Sequence, residues 1–157
     1  MGATDNIENQ EDPGVFAASP VALLKALRPL QWVKNGLVFL PFVFAVDIAW
    51  STDDLSEVPE LLGKLVLIAL AFCSLSSAIY LFNDLMDRSG DRLHPVKRNR
   101  PIASGKVSVQ VAVAVTVVLA AVGLVVMVLV EPLLGVAGGL YSVINVSYSM
   151  GLKQVVL

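Results

Sequence analysis

The 157-residue chain is 56% hydrophobic, has a mean hydropathy of +0.76 and carries a formal charge of −2. That apolar content and its long uncharged runs exclude an ordinary soluble domain. A single cysteine, Cys73, excludes an internal disulfide framework.

Residues 1–20 are acidic and polar. They lack the basic and apolar regions of a signal peptide and read as a disordered tail. Residues 21–157 read as a transmembrane domain with spans at about 32–50, 61–82, 107–130 and 133–150. In the first span Trp32 and Trp50 are expected at opposite interfaces, as an aromatic belt, with Pro41 bending the helix between them. Ser51 to Glu60 is an acidic loop, and Lys64 can snorkel at the start of the second span. Ser76, Tyr80, Asn83 and Asp87 recur at helical spacing and make one polar stripe. The third span is almost purely Val, Ala and Leu, a scaffold helix. The fourth carries Gly135 and Gly139 as a GxxxG pair, which permits close helix contact. It also carries a second stripe, Tyr141, Asn145 and Tyr148, with Lys153 following. The fold class is thus all-α, a membrane protein of about four transmembrane helices.

Between the second and third spans lies the segment 83–106, NDLMDRSGDRLHPVKRNRPIASGK. Asn83, Asp87 and Asp91 stand at i, i+4 and i+8, on one helical face, with Asp84 beside them. Hard oxygens in such a cluster suit Mg²⁺, which takes one or two carboxylates and completes its shell with water and phosphate oxygens. Lys97, Arg98 and Arg100 follow. Arginine grips phosphate with two parallel hydrogen bonds and lysine supplies a point charge. Metal and cations together would neutralise a leaving diphosphate. A solvated, salt-bridged loop that only sets topology is the alternative reading of the same charges. A nucleic-acid site is not indicated, because KRNR is short, lacks interleaved aromatics and sits between membrane spans. His94 alone carries no argument. Lys and Arg cluster before the first span, in the central loop and after the fourth span, which puts the N-terminus and the central loop in the cytoplasm.

NDLMDRSGD resembles the first aspartate-rich motif, NDxxDxxxD, of the UbiA superfamily of intramembrane prenyltransferases. HPVKRNRPIASG, with RPLQWVKN upstream, looks most like the decaprenyl-phosphate 5-phosphoribosyltransferase branch of that superfamily, and YSMGLK resembles its Tyr…Lys segment after the fourth helix. The resemblance implies the first part of a nine-helix bundle in a bacterial inner membrane. It implies Mg²⁺ and the donor diphosphate on Asn83, Asp87 and Asp91, with Asp84 in support, and phosphate binding by Lys34, Asn35, Lys97, Arg98 and Arg100, with Tyr148 and Lys153 as further substrate contacts. In that branch phosphoribosyl pyrophosphate is the donor and a polyprenyl phosphate the acceptor. The alternatives are transfer of a polyprenyl group from its diphosphate to an aromatic acceptor, and an inactive remnant or non-catalytic membrane partner. The family has a second aspartate-rich motif in its later half, and no second acidic cluster follows Asp91 here. The chain is therefore expected to be an N-terminal fragment, inactive without the missing half of the bundle.

Overall fold

The computed structural model describes residues 18–152. Three helices are long and apolar enough to cross a membrane: α3, Val58–Met86; α5, Val109–Val130; and the run Pro132–Gly151, in which α6, Pro132–Ser147, continues into a π-helical turn, Tyr148–Leu152. A short helix, α1, covers Pro20–Ala26. The fourth apolar segment is a 3₁₀ helix, Pro29–Phe39, followed by a short α2, Leu40–Phe44. Only isolated bridges of extended chain occur among the described residues, Ala18 with Val107 and Val46 with Trp50.

α3 and α5 form the central pair. Their contact is close because Gly123 lies against the α3 backbone. A Cβ there would stand 2.9 Å from the Ala71 carbonyl oxygen. Leu75 and Met127 are buried beside it. α6 folds back after Glu131–Pro132 and packs on α5 through Gly138, where a Cβ would meet Met127 Sδ at 2.5 Å. The expected Gly135–Gly139 pair is half corrected: Gly139 has nothing within 4 Å, and Gly138 takes its place beside Gly135 on the packed face. Residues three apart share a helix face as residues four apart do, so the motif's spacing could not decide between them. Outward, α5 and α6 present Val117, Leu129, Val136 and Ile144, the apolar surface that lipid requires.

The first span is not one α-helix from 32 to 50. Pro29 opens the 3₁₀ segment and Pro41 sits in the first turn of α2. At ~2.0 Å rise per 3₁₀ residue and ~1.5 Å per α residue the two pieces extend about 30 Å, still the depth of a hydrocarbon core. The 3₁₀ segment stays ordered because its polar side chains bond to α3. Trp32 Nε1 donates to Ser77 Oγ at 2.9 Å, and Ser77 Oγ donates to the Leu27 carbonyl at 3.0 Å. Asn35 Nδ2 donates to Cys73 Sγ and Ser76 Oγ at 3.3 and 3.4 Å. Both tryptophans of the expected belt bond within the protein. Trp32 spends its N–H inside the bundle, and Trp50 folds back, stacking on Phe42 at 5.0 Å and donating to the Phe42 carbonyl at 2.9 Å. Asp47, at φ 61°, makes that reversal possible, a conformation that Asp tolerates better than most residues.

The acidic loop before α3 is locally ordered. The Ser56 N–H donates to Asp54 Oδ1 at 3.0 Å and holds that carboxyl below its ordinary range. Lys64 pairs with Glu60 at 2.7 Å on the exposed first turns of α3. Within the segment read as a tail, the Ser19 N–H donates to the Lys106 carbonyl at 3.2 Å, and Pro20 opens α1.

Candidate active site

α3 is 29 residues long, about 43 Å at 1.5 Å per residue, so its last turns emerge from a ~30 Å hydrocarbon layer. The emerging turns carry Tyr80, Asn83 and Asp84. At Asp87 the helix ends and α4, Arg88–Leu93, begins. The i→i−4 ladder still runs through the junction, with Asp87 N to Asn83 O at 2.9 Å and Asp91 N to Asp87 O at 2.8 Å. The register expected for Asn83, Asp87 and Asp91 is thus kept in the backbone.

The side chains divide differently. Asp84 and Asp91, seven residues apart and so on one face, are both 3% exposed. Arg100 joins them: its Nη1 donates to Asp91 Oδ2 at 2.7 Å and to Asp84 Oδ1 at 3.2 Å. Arg28 Nη2 donates to the same Asp84 oxygen at 2.7 Å, while its guanidinium lies 4.8 Å from the centre of the Tyr80 ring. Burial of this kind is tolerable only because each carboxylate is paired and hydrogen-bonded.

Both arginines are held by the chain around them. Arg28 has φ 54° and ψ 56°, the left-handed region, between α1 and a proline that disfavours a right-handed helical residue before it. Such a conformation in a non-glycine residue costs on the order of 1–2 kcal/mol, which the pairing with Asp84 offsets. Arg100 precedes Pro101, Ile102 and Ala103, all buried. Ile102 packs with Ala22, Ala26, Leu81 and Val107 into one core beneath the site. Arg92 Nε donates to the Ala103 carbonyl at 3.1 Å and His94 Nδ1 accepts from the Val96 and Lys97 N–H groups at 3.2 and 3.3 Å, so both are loop-forming residues.

A cavity of about 160 Å³ opens beside the bridge, lined by Tyr80, Asn83, Asp87, Tyr148 and Ser149 together with Arg28, Asp84 and Arg100. A neighbouring cleft of about 390 Å³ has Asp87, Asp91, His94 and Lys97 in its walls. Asp87 is common to both. Of the residues expected to act together, Asn83, Asp84, Asp87, Arg100 and Tyr148 meet in the cavity, and Asp91 reaches it only through Arg100. Lys97 lies in the neighbouring cleft. Lys34 and Arg98 are exposed outside both, and Asn35 is turned to Cys73 and Ser76. Lys153 lies outside the described residues.

Two contributors were not anticipated. Arg28 opens the RPLQWVKN string but was given no role of its own, though its place before a proline and after a short helix marks a turn. Ser149 bonds to Asn83 Oδ1; it arrives there because the π turn after Ser147 shifts the helix register, so that Tyr148 and Ser149 both face the cavity. Asn145 does not join them: its Nδ2 returns to the Tyr141 carbonyl at 2.8 Å.

The model of the UbiA prenyltransferase family matches residues 38–157. The chain is 46% identical over 99 residues to the nodulation protein NoeC of Azorhizobium caulinodans, covering 63% of this chain and 29% of that protein. It is 37% identical over 132 residues to the decaprenyl-phosphate phosphoribosyltransferase of Mycolicibacterium smegmatis, covering 84% of this chain and 40% of that enzyme. The enzyme of the same name from Corynebacterium glutamicum is 36% identical over 135 residues, with 84% and 39% covered. The chain spans well under half the length of these relatives.

Proposed function

Because the chain belongs to the UbiA prenyltransferase family, we propose that it supplies the donor side of an intramembrane transferase that moves phosphoribosyl from phosphoribosyl pyrophosphate to a polyprenyl phosphate. The observation that carries the reading is the meeting of Asn83, Asp87, Arg28 and Arg100 around one cavity at the end of a membrane span. The names of the phosphoribosyltransferase relatives supply the group moved and a polyprenyl phosphate as acceptor, and the donor follows from the motif resemblance. The activity belongs to the whole protein, and the orientation follows the basic loops, with the site at the cytoplasmic face of a bacterial inner membrane.

The donor set fits Mg²⁺. Asn83 and Asp87 offer an amide oxygen and a carboxylate to one cavity, and Mg²⁺ asks for little more from protein when phosphate and water complete its shell. Among the described residues no three His, Cys, Asp or Glu side chains converge as a metal cage, which agrees with a metal held largely by substrate. Asp91, expected as a further ligand, pairs with Arg100, which Asp84 also holds. When bound, the ion would offset charge on the leaving diphosphate.

The chain's own residues then do the following. Asn83 and Asp87 orient the diphosphate end of the donor. Arg28 and Arg100, fixed from behind by Asp84, direct N–H groups at its oxygens, where charge accumulates as the bond breaks. An oxygen of the lipid phosphate gives its electron pair to the anomeric carbon. The carbon–oxygen bond to pyrophosphate breaks with its pair on the leaving group, and the acceptor dianion becomes a phosphodiester monoanion without gaining or losing a proton. The test offers phosphoribosyl pyrophosphate and a polyprenyl diphosphate in competition to the full-length protein in nanodiscs, with polyprenyl phosphate and an aromatic acid as acceptors. Phosphoribosyl lipid with stoichiometric pyrophosphate is expected. A prenylated aromatic product without phosphoribosyl incorporation would overturn the reading.

A further inference from the structure

A third cleft, of about 480 Å³, shares Arg28, Asp84 and Arg100 with the cavity but has its own walls, formed by Lys25, Val96, Asn99 and Pro101. Its chemistry differs from the cavity's. The added residues bring a cation, an amide and apolar contact, and no acid. Even with Asp91 counted through Arg100, three cations face two carboxylates. Lys25 makes no ion pair or side-chain hydrogen bond among the described residues, and the arginines use one terminal nitrogen each on the acids. Exposed apolar side chains stand on the segments that form it. Val21, one turn before Lys25 on α1, is 77% exposed, Leu24 is 54% exposed and Val96 72%. A short helix that combines exposed apolar side chains with a lysine suits the membrane–water boundary, where a lysine stem lies along hydrocarbon and its head meets phosphate.

We infer that this cleft is the subsite for the phosphate monoester of a lipid acceptor. Lys25 and Asn99 grip the phosphate from one side, Arg28 and Arg100 from the other, and Val21, Leu24 and Val96 rest against the start of the hydrocarbon chain. A donor in the cavity and an acceptor in the cleft then touch the same two guanidinium groups, with Asp84 buried between them. The assignment of the occupant as acceptor rests on the transferase reading; the binding of a lipid phosphate does not.

The test needs no turnover. A benzophenone-bearing short-chain polyprenyl monophosphate is photo-crosslinked to the full-length protein in nanodiscs without donor. Labelling is expected within 21–28 and 96–101. Lys25→Ala and, independently, Asn99→Ala should each weaken it about fivefold or more, the scale of one charge-assisted contact. Asp87→Asn and Lys64→Ala should leave it within about twofold, as expected for groups outside the cleft. Excess inorganic phosphate should compete far less well than unlabelled lipid phosphate. Labelling indifferent to both cleft variants overturns the inference, as does labelling lost equally in Asp87→Asn. Equal competition by inorganic phosphate also overturns it, since the occupant would then be a free anion. If the labelling pattern holds while phosphoribosyl transfer fails in the competition assay, the reaction falls and the lipid-phosphate subsite stands.

Discussion

Arg100→Met removes a cation from between two buried carboxylates while keeping much of the side chain's length. Asp84 retains Arg28 at 2.7 Å, whereas Asp91 loses the one ion-pair partner it has among the described residues. Breaking a buried pair from one side costs about 3–5 kcal/mol. Arg100 is 28% exposed, so water screens part of the interaction and the expected cost falls to about 2–3 kcal/mol. For a domain of this size that is a drop of about 4–12 °C in midpoint. Asp91→Asn in the same background removes the stranded charge, so the two changes should be less than additive by about 1.5–2.5 kcal/mol. The assay is a double-mutant cycle by unfolding in mixed micelles, with exposed Arg98→Met as the control, expected within about 0.5 kcal/mol of the parent. Additivity within about 0.5 kcal/mol would refute the pairing and return Arg100 to the role the sequence implied, a cation for phosphate alone. The same geometry makes Arg100→Lys a structural as well as a functional change, because one ammonium replaces a guanidinium that spans two acids.

Gly138→Ala should destabilise by about 1–3 kcal/mol, because its Cβ meets Met127, while Gly139→Ala should be neutral or slightly stabilising; a thermal comparison in detergent reverses the packing assignment if the two behave alike. Asp87→Asn in the full-length enzyme should lower turnover by about a hundredfold or more if it holds the metal and diphosphate, and near-normal rate at ordinary Mg²⁺ concentration removes it from that role. A reporter placed in Ser51–Glu60 should behave as external and one placed between His94 and Gly105 as cytoplasmic, since the basic residues gather in the latter; the opposite pattern would put the site on the wrong side for a cytosolic sugar diphosphate.

The membrane spans were legible because apolar length is a property of composition. α5 and the α3 core follow directly from their runs of Val, Ala and Leu. The broken first span was not, since hydropathy over 32–50 does not distinguish a 3₁₀ path from an α-helix. What decides the path is the set of bonds from Trp32 and Asn35 to Ser77, Ser76 and Cys73, all about forty residues away in sequence. The polar stripe of α3 was legible as a stripe, and its use was not: Ser76 and Tyr80 receive the first segment, and Tyr80 also lines the cavity with Asn83 and Asp87.

The aspartates show the same limit at finer grain. A motif read every four residues groups Asn83, Asp87 and Asp91. Read every seven it groups Asp84 with Asp91, and burial follows that second spacing, while the cavity wall takes Asn83, Asp84 and Asp87 and leaves Asp91 out. Both periods are present in any helix, so the choice depends on where counter-charges arrive. Arg100 arrives because Ile102 and Val107 are buried beneath it, and Arg28 because a proline turns the chain at the end of α1. Two distant loops thus divide a linear acid motif into a buried anchor and a pair that lines the cavity. It follows that conditions loosening the Ile102 core should release Arg100 before they unfold α3. Ile102→Ala, expected to cost about 2–5 kcal/mol, should weaken donor affinity more than Leu75→Ala does at equal loss of stability, because only the first displaces the guanidinium. Equal affinities in the two variants, measured by pyrophosphate competition, would mean that Arg100 is held by its carboxylates alone and that the loop core is incidental to the site.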